Sequence, residues 1–186
     1  MKQILLIMVL AAGTMMLGGC KEKKQTGDII TTKYVPKKPQ PPIAMPQDRQ
    51  VLNVGWVGRN YEVAIVRTSV DSLPMVADDT GQKYIDNSVT ISIKRADGSM
   101  FFEKTFVKGS FASYIDANFR KNGLLASIRF DEVDGPEMEF SVVIGLPDAV
   151  DDVYVPLELT INSQGGISIK QDDDMGLRDF DDDGDD

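Results

Sequence analysis

Apolar and polar residues alternate along most of the chain between about residues 50 and 171, the period of strands with one buried face. Leu52, Val54 and Trp56 share one face of a first strand. Tyr61, Val63 and Ile65 share one face of a second, with Gly58-Arg59-Asn60 as the turn between them. Residues 71–87 interrupt the pattern. Pro74, Asp78-Asp79 and Gly81 predict a long loop there, with one short strand near Lys83-Tyr84-Ile85. Alternation returns at Val89, Ile91 and Ile93, and Asp97-Gly98 predicts a two-residue hairpin loop. That register pairs Ile93 with Phe102, Thr90 with Thr105 and Val89 with Phe106. It also sets Lys104 opposite Ile91 on the apolar face, unless a bulge near Phe101-Phe102 re-aims it.

A period near 3.6 replaces the alternation at 111–122. Phe111, Ile115 and Phe119 recur at every fourth position beside Tyr114, which predicts one helix with an aromatic core stripe. Ser110 is its expected N-cap, Asp116 and Arg120 an i, i+4 pair, and Asn122-Gly123 a left-handed stop. Four strands follow. Their apolar sets are Ala126, Ile128 and Phe130; Met138, Phe140, Val142 and Ile144; Val155, Leu157, Leu159 and Ile161; and Ile167 and Ile169. Asp134-Gly135-Pro136, the acidic loop at 148–152 and Gln164-Gly165-Gly166 connect them. The fold expected is mainly β with a single helix (α+β): an antiparallel meander of about eight strands, as a curled sheet or a two-layer sandwich.

The first residues obey neither period. Lys2 precedes a nearly continuous apolar run from Ile4 to Leu17. Fourteen residues of helix reach roughly 21 Å, short of the ~30 Å core of a bilayer. The run therefore reads as a signal peptide over residues 1–19. It closes on Leu17-Gly18-Gly19-Cys20, which reads as a lipobox: signal peptidase recognition by Leu17, Gly18 and Gly19, and lipidation of Cys20. One acyl chain holds a protein only marginally, whereas a diacylglyceryl group with a further N-acyl chain holds it permanently. Cys20 is the sole cysteine, so the mature domain has no disulfide and no thiolate metal site. Residues 20–48 read as a tether, rich in Lys and carrying Pro36, Pro39, Pro41, Pro42 and Pro46; the alternative is an arm lying on the domain. The globular domain is then 49–171, and 172–186 an acidic disordered tail.

Charge sharpens this division. The formal net charge is −9, made of +4 over residues 21–49, −6 over 50–171, −8 over 172–186 and +1 from Lys2. An acidic body with basic residues gathered beside the anchor excludes nucleic acid as a partner. The absence of histidine removes Ser-His-Asp and Cys-His catalysis and His-ligated zinc. No cofactor is expected. Asp179, Asp181, Asp183 and Gly184 open a calcium-loop pattern, but the chain stops before the twelfth-position acid, so weak calcium binding is the most it offers. Asp131-Glu132 and Asp151-Asp152 read as solvated charge, and Trp56 and Tyr61 as core rather than a recognition surface.

The run Val89-Thr-Ile-Ser-Ile-Lys-Arg-Ala-Asp-Gly-Ser-Met-Phe-Phe-Glu-Lys-Thr-Phe carries a resemblance. So do Phe111-Ala-Ser-Tyr-Ile, Phe119-Arg-Lys-Asn-Gly, Val155-Pro-Leu-Glu-Leu-Thr-Ile and Gly165-Gly-Ile-Ser-Ile. With the lipobox, they resemble a family of short Bacteroidota lipoproteins known only as a domain of unknown function. The similarity covers roughly residues 50–171 and the leader, and leaves the Pro-rich tether and the Asp-rich end unmatched. It implies a cell-envelope address and a non-enzymatic default, and it brings no catalytic or binding residues.

The expectation is thus a protein held in the membrane through lipid on Cys20, at the outer membrane. The mainly basic Lys21-Glu22-Lys23-Lys24 favours its periplasmic face over the cell surface. Its domain is expected to bind an envelope protein or glycan, or to have an assembly role in the envelope, without catalysis. The alternatives are an envelope hydrolase using carboxylates or Ser/Lys, and a weak calcium-responsive module. The hydrolase requires a polar cleft with two convergent acids or a buried lysine.

Overall fold

The computed structural model describes residues 40–147 and 153–172, all within one compact unit, Pro39–Asp186. The leader, Cys20, the tether up to residue 39, the acidic loop 148–152 and the tail from residue 173 lie outside the described residues.

Among the described residues twelve elements follow in order. They are β1 (Asp48–Trp56), β2 (Arg59–Ser69), β3 (Val76–Ala77), β4 (Lys83–Tyr84), β5 (Asn87–Arg95), β6 (Met100–Val107), a 3-10 turn (Lys108–Phe111), α1 (Ala117–Asn122), β7 (Leu124–Asp134), β8 (Glu137–Gly145), β9 (Tyr154–Asn162) and β10 (Ile167–Gln171). The protein is mostly β. One four-stranded sheet runs β1-β2-β5-β6 and a second runs β10-β9-β8-β7, while β3 and β4 form a separate pair. Every pairing between strands is antiparallel, so each sheet is a meander, the first broken only by the excursion carrying β3 and β4.

The two sheets bury their inner faces in one core. Val63, Val89, Ile91 and Ile93 of the first and Met138, Phe140, Val142, Ile144, Leu157, Leu159 and Ile161 of the second are fully enclosed. This is the two-layer alternative of the expected meander. Phe140, fully buried, stands edge-on to the partly buried Phe130, ring centroids 5.7 Å apart. Truncating a buried phenylalanine of this kind costs about 3–5 kcal/mol.

Four expectations about the helix are corrected. The α-helix is only Ala117–Asn122; the segment before it is a 3-10 turn, so the aromatic stripe spans two short elements. Its N-cap is Asp116, whose carboxylate accepts from the amide of Phe119, not Ser110. Asp116 therefore caps and does not pair with Arg120, which donates to the carbonyl of Ala112. Phe111, Ile115 and Phe119 are nonetheless buried as expected. Gly123 ends the helix with an ordinary φ of −79°. Its smallness serves space, since a Cβ there would stand 2.7 Å from the carbonyl oxygen of Phe119.

The first hairpin turns at Val57-Gly58, one step earlier than expected, with φ of 44° and 72°. In β7 the register slips between Leu125 and Ser127, so Leu125 and Ile128 face the core in place of an Ala126–Ile128 alternation. The end of the segment read as tether lies on the domain. Ile43 forms a parallel bridge to Tyr84, and the carbonyls of Met45 and Pro46 accept hydrogen bonds from Ser69 and Arg67.

Candidate functional site

The chain leaves β2 at Ser69 and returns through Asp86-Asn87, a polar pair placed ahead of an apolar strand. Both are buried, Asp86 at 3% exposure and Asn87 at 0%. One carboxylate oxygen of Asp86 accepts the amides of Asn87 (2.8 Å) and Leu125 (3.0 Å). The side-chain amide of Asn87 donates to the carbonyl of Leu125 (3.0 Å), and its oxygen accepts from Ser69 (2.8 Å). These two side chains thus occupy both backbone groups of Leu125 on the open edge of β7, which would otherwise be orphaned.

Lys108, just past β6, completes the joint. Its amine donates to the carbonyl of Gly123 (2.7 Å) and stands 3.6 Å from the other carboxylate oxygen of Asp86. The two side chains are only 14% and 4% exposed.

Beside this pair opens a cavity of about 420 Å³. Leu73, Pro74 and Val107 supply apolar walls, Asp86 and Lys108 a polar floor, and Arg120 and Lys121 a cationic rim. Arg120 and Lys121 are exposed, and among the described residues neither forms an ion pair. The volume falls within the ~300–1,000 Å³ range of small-molecule sites.

A second cavity of about 340 Å³ lies at the hairpin end of the first sheet, lined by Arg59, Tyr61, Arg95 and Asp97 among others. Beneath it Trp56, Tyr61 and Phe101 form a cluster of edge-on rings, with centroids 5.3, 5.4 and 5.8 Å apart. The guanidinium of Arg95 lies 5.2 Å over the Phe101 ring. Trp56 and Tyr61 are buried, in keeping with their reading as core. Asp97 accepts from Ser99, a bond that holds its carboxyl below the usual carboxylate range; this is turn chemistry.

The residues singled out in the sequence fall elsewhere. Leu17, Gly18, Gly19, Cys20, Asp151, Asp152, Asp179, Asp181 and Asp183 lie outside the described residues. Asp131 and Glu132 are exposed in a stretch of β7 whose register slips between Phe130 and Val133. Among the described residues no group of three or more His, Cys, Asp or Glu side chains could hold a metal ion. Of the two alternatives set for a hydrolase, the first cavity offers the buried lysine and not the two convergent acids, since its lining holds a single acid. That lysine is engaged by Asp86 and Gly123, and the hydroxyl of Ser110 accepts from the amide of Val107 (3.2 Å).

Asp86, Asn87, Lys108 and Arg120 carry the site, and sequence reasoning missed them as site residues. The available signal was the polar Asp86-Asn87 step directly before the most regular alternating strand, where a turn needs no buried carboxylate.

Over the described residues the molecule is an antiparallel β module of two four-stranded sheets and a short strand pair, with a cation-rimmed cavity beside the Asp86–Lys108 pair. The chain belongs to a family described as a domain of unknown function (DUF4738), whose model matches residues 29–169. The matched region reaches twenty residues (29–48) into the segment read as tether. No curated protein matches the chain.

Proposed function

We propose that this is a lipid-anchored cell-envelope protein whose β module binds a partner without catalysis. The observation that carries the anchoring is Leu17-Gly18-Gly19-Cys20 at the end of an apolar run too short to span a bilayer. Support for binding rather than catalysis comes from the larger cavity, whose acid and lysine are spent on each other and on backbone groups. The partner is an envelope protein or glycan, and the outer membrane's periplasmic face is the favoured address.

The test is cell fractionation of the native protein and a Cys20→Ala variant, with intact mass of the mature chain. The native protein should stay with membranes and weigh more than its amino acids by a lipid group. Release into the soluble fraction at unmodified mass would sink the reading. A pull-down from membranes, with and without residues 172–186, then reports the partner and the tail's part in binding it.

The Lys108–Asp86 cavity supports a second reading, an envelope hydrolase using Ser/Lys. It predicts that Lys108→Met abolishes turnover of ester or glycoside probes by the native protein. No turnover by either protein would end it.

A further inference from the structure

We propose that the cavity between the β2–β5 excursion, the end of β6 and the C-terminal end of α1 binds a small organic carboxylate. Arg120 and Lys121 hold its anionic end, and Leu73, Pro74 and Val107 flank its apolar body. This adds a small-ligand site to the envelope protein or glycan partner proposed above and rests on the reading of the domain as a binding module.

Charge is the first argument. Three cations, Lys108, Arg120 and Lys121, and one carboxylate, Asp86, line the cavity, a local balance of +2. Residues 50–171 as a whole stand at −6, so the cavity opposes the sign of its own domain. A cleft lined by one sign of charge focuses its field on a counter-ion. Lys108 is neutralised by Asp86 at 3.6 Å, which leaves Arg120 and Lys121 as the charges available to a ligand.

Donor geometry is the second. Arg120 spends one guanidinium nitrogen on the carbonyl of Ala112 (3.1 Å). That bond fixes the fork, and a guanidinium with five N–H donors keeps others for a carboxylate. Lys121, with no ion-pair partner among the described residues, adds a point charge beside it.

The walls are the third. An inorganic anion gains nothing from Leu73, Pro74 and Val107, whereas an acid with an aliphatic body buries apolar surface there. The small volume admits a small molecule or a chain end, not a folded partner.

Amide NMR of the full-length protein in nonionic detergent tests this with three probes: N-acetyl-leucine, its uncharged amide, and inorganic phosphate. N-acetyl-leucine should saturate below about 10 mM and shift Val107–Gly109 and Arg120–Lys121. The amide, the phosphate, and N-acetyl-leucine on an Arg120→Gln/Lys121→Gln variant of unchanged melting temperature should each bind at least about tenfold more weakly. Leu73→Ala should weaken the organic acid and leave phosphate unaffected. No saturation, equal binding of the amide, or an unaffected double variant overturns the proposal. Tighter binding of phosphate overturns the ligand class. Saturable shifts confined to Arg59 and Arg95 overturn this site while leaving a binding module in place. The module itself fails separately, on the membrane pull-down.

Discussion

The carboxylate of Asp86 accepts the backbone amide of Leu125 at 3.0 Å, and so fastens the start of β5 in one sheet to β7 in the other. The same carboxylate faces Lys108, and both side chains are nearly inaccessible. Removing one member of a buried pair strands the other, at about 3–5 kcal/mol. Asp86→Ala should therefore lower unfolding stability by roughly that amount. Asp86→Asn keeps an acceptor for the Leu125 amide and should cost less. Adding Lys108→Met to Asp86→Asn should recover part of the loss, because no charge is then left unpaired. Urea midpoints measure all three, and equal midpoints for Ala and Asn would show that the amide contact contributes nothing.

Val57 presents a strained backbone. It is β-branched and half exposed, with φ of 44° at the first position of a two-residue hairpin loop. Left-handed conformation at a non-glycine residue costs about 1–3 kcal/mol, least for asparagine. Val57→Asn makes the loop Asn-Gly, the preferred sequence for this turn, and should raise stability by about 1 kcal/mol. A lowered melting temperature would show instead that the Val57 side chain makes a contact of value.

Most of the strand framework was legible in the sequence, for a physical reason visible in the second hairpin. A two-residue loop at Asp97-Gly98 predicts Ile93 opposite Phe102. The loop is in fact three residues, Ala96-Asp97-Gly98, with Arg95 and Ser99 bonded across it. A bulge at Phe101 then adds one residue on the other side, and Ile93 meets Phe102 after all. The buried set Val89, Ile91 and Ile93 dictates this register, and the loop adapts to it. The site was not legible. Asp86-Asn87 reads as the end of a loop because its partners, Leu125 and Lys108, are remote in sequence, and no local period reports a long-range hydrogen bond.

Lys104 opposite Ile91 is explained by position rather than by the bulge, which lies beyond it. β6 is an edge strand, and Lys104 is exposed there with its amine 5.4 Å from the centre of the Phe106 ring. A charge on the apolar face of an edge strand blocks pairing with another chain. Lys104→Val should leave the fold intact and move the protein toward larger species in sedimentation velocity. A variant that sediments like the native chain would remove that role from the lysine.

On the outer face of the second sheet, Glu139 has its carboxyl raised above the usual range, first by burial and then by the charge of Glu158. Glu158 is itself held by Lys170 at 2.9 Å, so its repulsion is partly offset. A raised folded-state value means that the native protein binds the proton more tightly than the unfolded chain does. The contribution of Glu139 is thus most favourable below the unfolded value and is lost as pH rises through the folded one. At neutral pH the charged form is a cost. Glu139→Gln removes that charge and should stabilise the protein at pH 7 by no more than about 0.5 kcal/mol. The gain should vanish near pH 3, where the native carboxyl is already neutral. Thermal unfolding of both proteins from acid to neutral pH measures the difference, and a gain that persists undiminished in acid would mean that the substitution acts through packing.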